Sequence, residues 1–167
     1  MNTLEIMKLD IIGLGLILFS PKHAEMIEPG SDYLSSSYMS EDDVQAHIQK
    51  GTIVGFSTGT PGRFSLDFFT GYPSDEILKE SDYKLRLGLH CVGGVVCVRD
   101  LYDLMDWDPE CPKEQMIKLA DGYYHVTLCS NIPSSGLLGD DQKIDVYLQL
   151  LDEFPDLAKH GIPTLCC

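Results

Sequence analysis

The sequence predicts a mainly β protein, an antiparallel β-sandwich of about eight strands with one or two short helices. The sandwich is expected to form a single domain over residues 1–167. Three observations carry this expectation. Apolar and polar residues alternate with a period of two along most of the chain, clusters of Gly, Pro, Asn and Asp separate those stretches, and helical periodicity is nearly confined to one segment. With 167 residues, 44% hydrophobic and 23% charged, the chain is long enough to bury a core without disulfide staples.

From the N-terminus, "LEIMKLD" and "LGLILFSP" read as two strands around Gly13. The apolar run "IIGLGLILF", residues 11–19, is far shorter than the roughly 20 residues of a membrane span. Glu5 and Asp10 oppose Lys8 ahead of it, so the basic flank of a signal peptide is missing and a buried strand is expected. Residues 28–43, "EPGSDYLSSSYMSEDD", read as a surface excursion. "SEDDVQAHIQKG", residues 40–51, predicts a helix with Ser40 as N-cap, acids in its first turn facing the helix dipole, and Gly51 as its stop. "GTIVGFST" and "RFSLDFF" flank the turn "GTPG" as a hairpin, and "SDEILKE" adds one or two helical turns.

The clearest alternation is "YKLRLGLHCVGGVVCVRD", residues 83–100. A hairpin turning at Gly93-Gly94 pairs Val92 with Val95, Cys91 with Val96 and His90 with Cys97. One face then carries Leu85, Leu87, Leu89, Cys91, Val96 and Val98, the other Lys84, Arg86, His90, Cys97 and Arg99. In "DGYYHVTLCSN", Tyr124, Val126 and Leu128 face one way. In "KIDVYLQL", Ile144, Val146, Leu148 and Leu150 do the same.

Catalytic strings are few. "GFSTG", residues 55–59, matches G-x-S-x-G around Ser57, with His125 and His160 downstream, but a turn and a strand follow where a nucleophile elbow needs a helix. No histidine pair has helical metal-ligand spacing, and His90 with Cys97 supplies too few ligands for zinc. No phosphate-binding glycine loop is present. The cysteines, Cys91, Cys97, Cys111, Cys129, Cys166 and Cys167, include no CxxC pair. Cys91 and Cys97 are expected on opposite faces, and all six read as reduced thiols of a cytoplasmic chain.

Charge is the unusual property. Twelve Lys and Arg against twenty-six Asp and Glu leave a net charge of −14, which disfavours nucleic acid and anionic membranes and favours a basic protein partner. The acids concentrate in "RDLYDLMDWDPEC", residues 99–111: Asp100, Asp103, Asp106, Asp108 and Glu110, interleaved with Leu101, Tyr102, Leu104, Met105 and the single tryptophan, Trp107. Acids at 100, 103 and 106 share one side of a helical turn, leaving Leu101, Leu104 and Met105 to point inward. Tyr102 and Trp107 would add aromatic anchors to a contact surface. The competing reading is a solvated turn with Trp107 plugging the core. As a calcium loop the stretch departs from the EF-hand pattern, although pooling with Asp140 and Asp141 of "LGDDQK" leaves a calcium-binding β-sandwich module as the alternative function.

From residue 95 onward, "VVCVRDLYDLMDWD", "LADGYYHVTLCSN" and "GDDQKIDVYLQL" resemble the closing strands of the competence-nuclease inhibitor (competence protein J-like) family. The shared features are a Gly-Tyr entering a strand, a short polar loop, and an acidic turn into a final amphipathic strand. The resemblance, over residues 95–150, implies a small acidic bacterial protein that binds and blocks a nuclease, akin to immunity proteins that neutralise antibacterial toxins. It carries strands and assigns no individual residue.

The expectation is therefore a non-catalytic inhibitor, monomer or homodimer, needing no cofactor and binding a basic nuclease toxin. Its contact residues would be Asp100, Asp103, Asp106, Trp107, Asp108 and Glu110, joined by Asp140 and Asp141.

Overall fold

A computed structural model describes residues 3–156 and 163–165. Nine strands are formed among them: β1 (Thr3–Ile11), β2 (Gly15–Phe19), β3 (Ile53–Ser57), β4 (Gly62–Thr70), β5 (Tyr83–Cys91), β6 (Val95–Asp100), β7 (Met116–Lys118), β8 (Gly122–Ser130) and β9 (Gln142–Leu151). They build a five-stranded sheet in the order β1-β4-β9-β8-β5 and a four-stranded sheet in the order β3-β2-β6-β7. The mainly β, two-sheet expectation holds, with one strand more than expected and one difference in kind. β4 and β9 run parallel, in register from Phe64 beside Gln142 to Thr70 beside Leu148, so the larger sheet is mixed. β9 runs antiparallel to β8 on one side and in the same direction as β4 on the other.

Neither of the two expected hairpins forms, and the two N-terminal strands around Gly13 do not pair with each other. β1 and β2, β3 and β4, and β5 and β6 each fall in different sheets, so the glycine-bearing links are corners. At Gly93-Gly94 both residues have positive φ, 83° and 74°, which the turn requires. The strands on either side nevertheless separate. The fully buried Ser20 hydroxyl accepts from Val92 N at 3.0 Å and donates to Val95 O at 2.8 Å, taking up groups a hairpin would have paired with each other. Cys91 then pairs with Gly122 and His90 with Tyr123, while Cys97 pairs with Met116. The alternation survives because the two strands face each other across the sandwich. Leu85, Leu87, Leu89, Cys91, Val96 and Val98 all lie in the core between the sheets, with Phe56, Phe64, Leu66, Phe68, Leu128 and Val146.

A second core covers the outer face of the four-stranded sheet. Ile17, Phe19, Ile53 and Cys97 rise from the strands to meet Ala24, Leu34, Tyr38, Val44, Ile48, Leu104 and Trp107. This cover is built by α1 (Tyr33–Ser37), α2 (Glu41–Lys50) and two short 3₁₀ turns, Pro21–Ala24 and Leu101–Met105. α2 follows its sequence signals: Ser40 Oγ accepts from Asp43 N at 3.1 Å, Val44 and Ile48 point inward, and Gly51 closes the helix in the left-handed region at φ 65°. The 28–43 stretch is thus partly helical, where an irregular excursion was expected. α3 (Asp75–Glu80), capped by Ser74, follows β4. Among the described residues no helix is long and apolar enough to cross a membrane.

Candidate protein-interaction site

β6 ends by delivering Arg99 and Asp100 side by side, and these two residues set the geometry of everything up to Glu110. The Asp100 carboxylate, 9% exposed, accepts from Tyr102 N at 3.0 Å, capping the turn Leu101–Met105. Its other oxygen accepts from Ile12 N at 2.9 Å and Gly13 N at 3.2 Å, closing the β1–β2 corner. That approach depends on Gly13, since a Cβ there would collide with the carboxylate.

Arg99 is buried and clamps the segment from within. Its Nε donates to Asp103 Oδ2 at 2.8 Å, its Nη1 donates to the Asp108 carbonyl oxygen, and its guanidinium lies 4.4 Å from the centre of the Trp107 ring. Trp107 is 3% exposed, packs its ring against Phe19 at 5.6 Å, and ties its backbone to residues 30 and 31 through Gly30 N to Trp107 O and Trp107 N to Ser31 O. Among the described residues its indole Nε1 has no hydrogen-bond partner. Trp107 is therefore the core plug of the competing reading, and aromatic anchoring at the surface is left to the half-buried Tyr102. Leu101 and Leu104 point inward as expected. Met105 does not: it is 44% exposed, because the 3₁₀ turn presents only every third residue to the core.

The acids thus divide. Asp100 is consumed by the fold, and Asp103 is paired with Arg99 at a half-exposed position. Asp106, Asp108 and Glu110 are exposed, and among the described residues none of the three enters an ion pair. Asp108 Oδ1 accepts from Glu110 N at 3.0 Å, which fixes the turn between them.

Asp140 and Asp141 precede β9 at the end of the five-stranded sheet, with Asp141 in the left-handed region at φ 49°. They line a shallow concavity with Asp10, Ile11 and Arg63, where Arg63 donates to Asp10 at 2.9 Å and lies 3.9 Å from Asp141. No residue of 99–111 lines it. The two acidic groups meet only through the Ile11–Gly13 corner that Asp100 holds. Among the described residues, no three His, Cys, Asp or Glu side chains are placed to hold one metal ion, so calcium gains no geometric support.

The remaining candidates are placed as follows. Ser57 ends β3 with its hydroxyl donating to Leu14 O at 3.1 Å and accepting from Gly59 N, with no elbow beneath it. His125 is bonded to Tyr72 on the opposite sheet's outer face. His160, Cys166 and Cys167 lie outside the described residues. Sequence reasoning missed the Arg99 clamp, although Arg99 and Asp103 stand at the i, i+4 spacing that flags such a pair.

Fold and site together define a two-sheet, mainly β sandwich that displays a clamped acidic segment. Two solved structures have this fold. One is ComJ from Bacillus subtilis, an inhibitor of the DNA-degrading activity of NucA. It matches with a TM-score of 0.51 and 9% identity over 90% of this chain and 98% of its own. The other is the product of crocagin biosynthetic gene J, with a TM-score of 0.53 and 13% identity over 88% and 98%. The resemblance noted over residues 95–150 is thus a likeness of the fold over most of the chain. No protein-family model and no curated protein matches the sequence.

Proposed function

We propose that this chain is a non-catalytic, acidic inhibitor of a basic protein, a nuclease toxin, which it meets through the surface carried by residues 103–110. The observation that carries the reading is the set of exposed, unpaired carboxylates of Asp106, Asp108 and Glu110 on a backbone pinned by Arg99 and Trp107. A nuclease cleft is basic because it binds a polyanion. Carboxylates held at fixed positions by their own protein lose little freedom on meeting it. The net charge of −14 would steer the encounter, and the fold shared with the NucA inhibitor supports the same reading. In this role Asp100 and Trp107 act by holding the surface in place, Asp103 stands at its edge, and Asp140 and Asp141 extend it past the β1–β2 corner.

The test is paired affinity capture from the host with the wild-type chain and the Asp106→Lys, Asp108→Lys variant. The expected result is a basic protein retained by wild type alone, released by salt, whose nucleic-acid cleavage the wild-type chain stops at about one-to-one stoichiometry. A nuclease inhibited equally by both chains would remove residues 106–108 from the interface. Inhibition of no nuclease would defeat the reading altogether.

A further inference from the structure

Four strands lie at the edges of the two sheets: β1 and β5 in one, β3 and β7 in the other. Three of these edges are closed or short. On β5, His90 N donates across the edge to Gly51 O at 2.9 Å. On β3, Ser57 N donates to Pro163 O at 2.7 Å and Leu165 N to Ser57 O at 2.8 Å. β7 has only three residues. β1 differs from all of them. It runs for nine residues with β4 on one side, and among the described residues no hydrogen bond reaches the backbone of residues 4–11 from the other. At its start Leu4 and Glu5 share a groove with Lys113 and Met116, leaving Ile6 to Ile12 as the open stretch.

The side chains of this stretch alternate. Met7, Leu9 and Ile11 are buried in the core, while Ile6, Lys8, Asp10 and Ile12 are exposed. Ile6 is 59% exposed and Ile12 82%, the latter the most exposed large hydrophobic side chain among the described residues. Ile12 N is taken by Asp100, so the strand ends there with the Ile12 side chain in the open. Lys8 enters no ion pair among the described residues, and Asp10 remains open to solvent beside Arg63. A long free edge with apolar side chains is a template for another strand, and a lysine on it ordinarily repels one. Here the lysine has its complement two residues further on.

We propose that β1 is the interface of a symmetric dimer, in which β1 of a second copy adds antiparallel to it about Leu9. In a two-fold pairing each contact occurs twice, and opposed residues share a face. Centred on Leu9, the pairing sets Lys8 opposite Asp10 of the second copy and Ile6 opposite its Ile12, while on the inner face Met7 meets Ile11 and Leu9 meets Leu9. The other registers fail. Centring on Lys8 or on Asp10 opposes two like charges, and centring on Met7 or on Ile11 sets a charge against an isoleucine. The segment is thus complementary to itself in one register, which is what selects a second copy as the occupant. Asp10 then lies between Arg63 of its own β4 and Lys8 of the second copy, so cations are gathered at the contact although each chain carries a net charge of −14. The two five-stranded sheets join into one of ten strands.

The test is sedimentation of the full chain over a concentration series, with charge variants at the two exposed positions. Wild type is expected to be a dimer at about 100 μM. Lys8→Asp alone and Asp10→Lys alone should each sediment as monomers, and an equimolar mixture of the two should recover the dimer, because each then carries the other's complement. The Lys8→Asp, Asp10→Lys double variant should dimerise by itself. Amide exchange in wild type should slow at residues 6–12 as concentration rises. Circular dichroism checks each fold, and Lys8→Asp, which removes no ion pair among the described residues, is the variant least able to disturb it. A wild-type monomer at about 100 μM would overturn the proposal and leave the edge to a strand of another protein. A dimer that persists in either single variant would place the interface elsewhere, and a mixture that stays monomeric would refute the register.

Discussion

The two sheets of this sandwich are buried differently, and the difference explains where the candidate site lies. In the five-stranded sheet one face meets the core and the other is only partly covered, so β4 alternates between buried Phe64, Leu66 and Phe68 and half-buried Ser65, Asp67 and Phe69. In the four-stranded sheet both faces are covered, and every residue of β2 is buried. The second cover includes the acidic segment itself. Its exposed carboxylates therefore stand on a packed layer with Trp107 and Leu104 beneath them, in contrast to Asp140 and Asp141, which stand on a turn.

Substitutions on the two sheets should break or sharpen this contrast. Trp107→Ala empties the centre of the cover and should destabilise the protein by about 3–5 kcal/mol in chemical denaturation. A loss below about 1 kcal/mol would mean that the cover contributes little. Arg99→Met removes the ion pair to Asp103, the bond to Asp108 O and the contact with the Trp107 ring. It should cost about 2–3 kcal/mol and raise hydrogen exchange at residues 103–110 before the rest of the sheet.

A smaller effect is expected from His47, whose ring in the cover bonds Tyr33 and Thr52, each at 2.7 Å. Burial lowers its pKa from 6.5, with the Lys50 charge adding to the effect, so below about pH 6.5 the unfolded chain takes up a proton that the folded one resists. This contribution to stability is complete above pH 6.5 and is lost as pH falls toward the folded value. His47→Gln should therefore flatten the decline in the urea midpoint between about pH 7 and pH 5. The smallest effect belongs to the open face of the other sheet. Lys143 lies 3.2 Å from Asp67 and 3.6 Å from Asp145 and is itself largely exposed, so Lys143→Ala should change stability by less than about 1 kcal/mol.

The same contrast accounts for what was legible in the sequence. Alternation located β4, β5, β8 and β9 and the inward residues of β5 and β8, because one-sided burial writes itself as a period of two; in β9 Ile144, Val146 and Leu148 point inward as expected, but Leu150, expected with them, is 52% exposed near the strand's end. The helix 41–50 was legible from its caps. Partners were not. Gly93-Gly94 has the residues of a hairpin turn, but the choice of corner over hairpin rests on Ser20, some seventy positions away in the chain. In the site, the spacing of the acids was visible, yet Asp100 and Asp106 carry the same charge and only contacts from residues 12 and 13 turn the first one inward. Trp107 was read as a surface anchor because interleaving with acids says nothing about depth.

β9 is the last of the nine strands in chain order, yet it occupies the middle of its sheet, with β4 on one side and β8 on the other. A growing chain can assemble β1 with β4 and β5 with β8, but the two halves have no hydrogen-bonded connection until residues 142–151 emerge. Folding is thus completed from the C-terminal side, at the pace of long-range pairing, on the order of milliseconds to seconds. Chains stopped short of β9 would expose two unpaired inner edges, at β4 and β8, and be prone to aggregate through them.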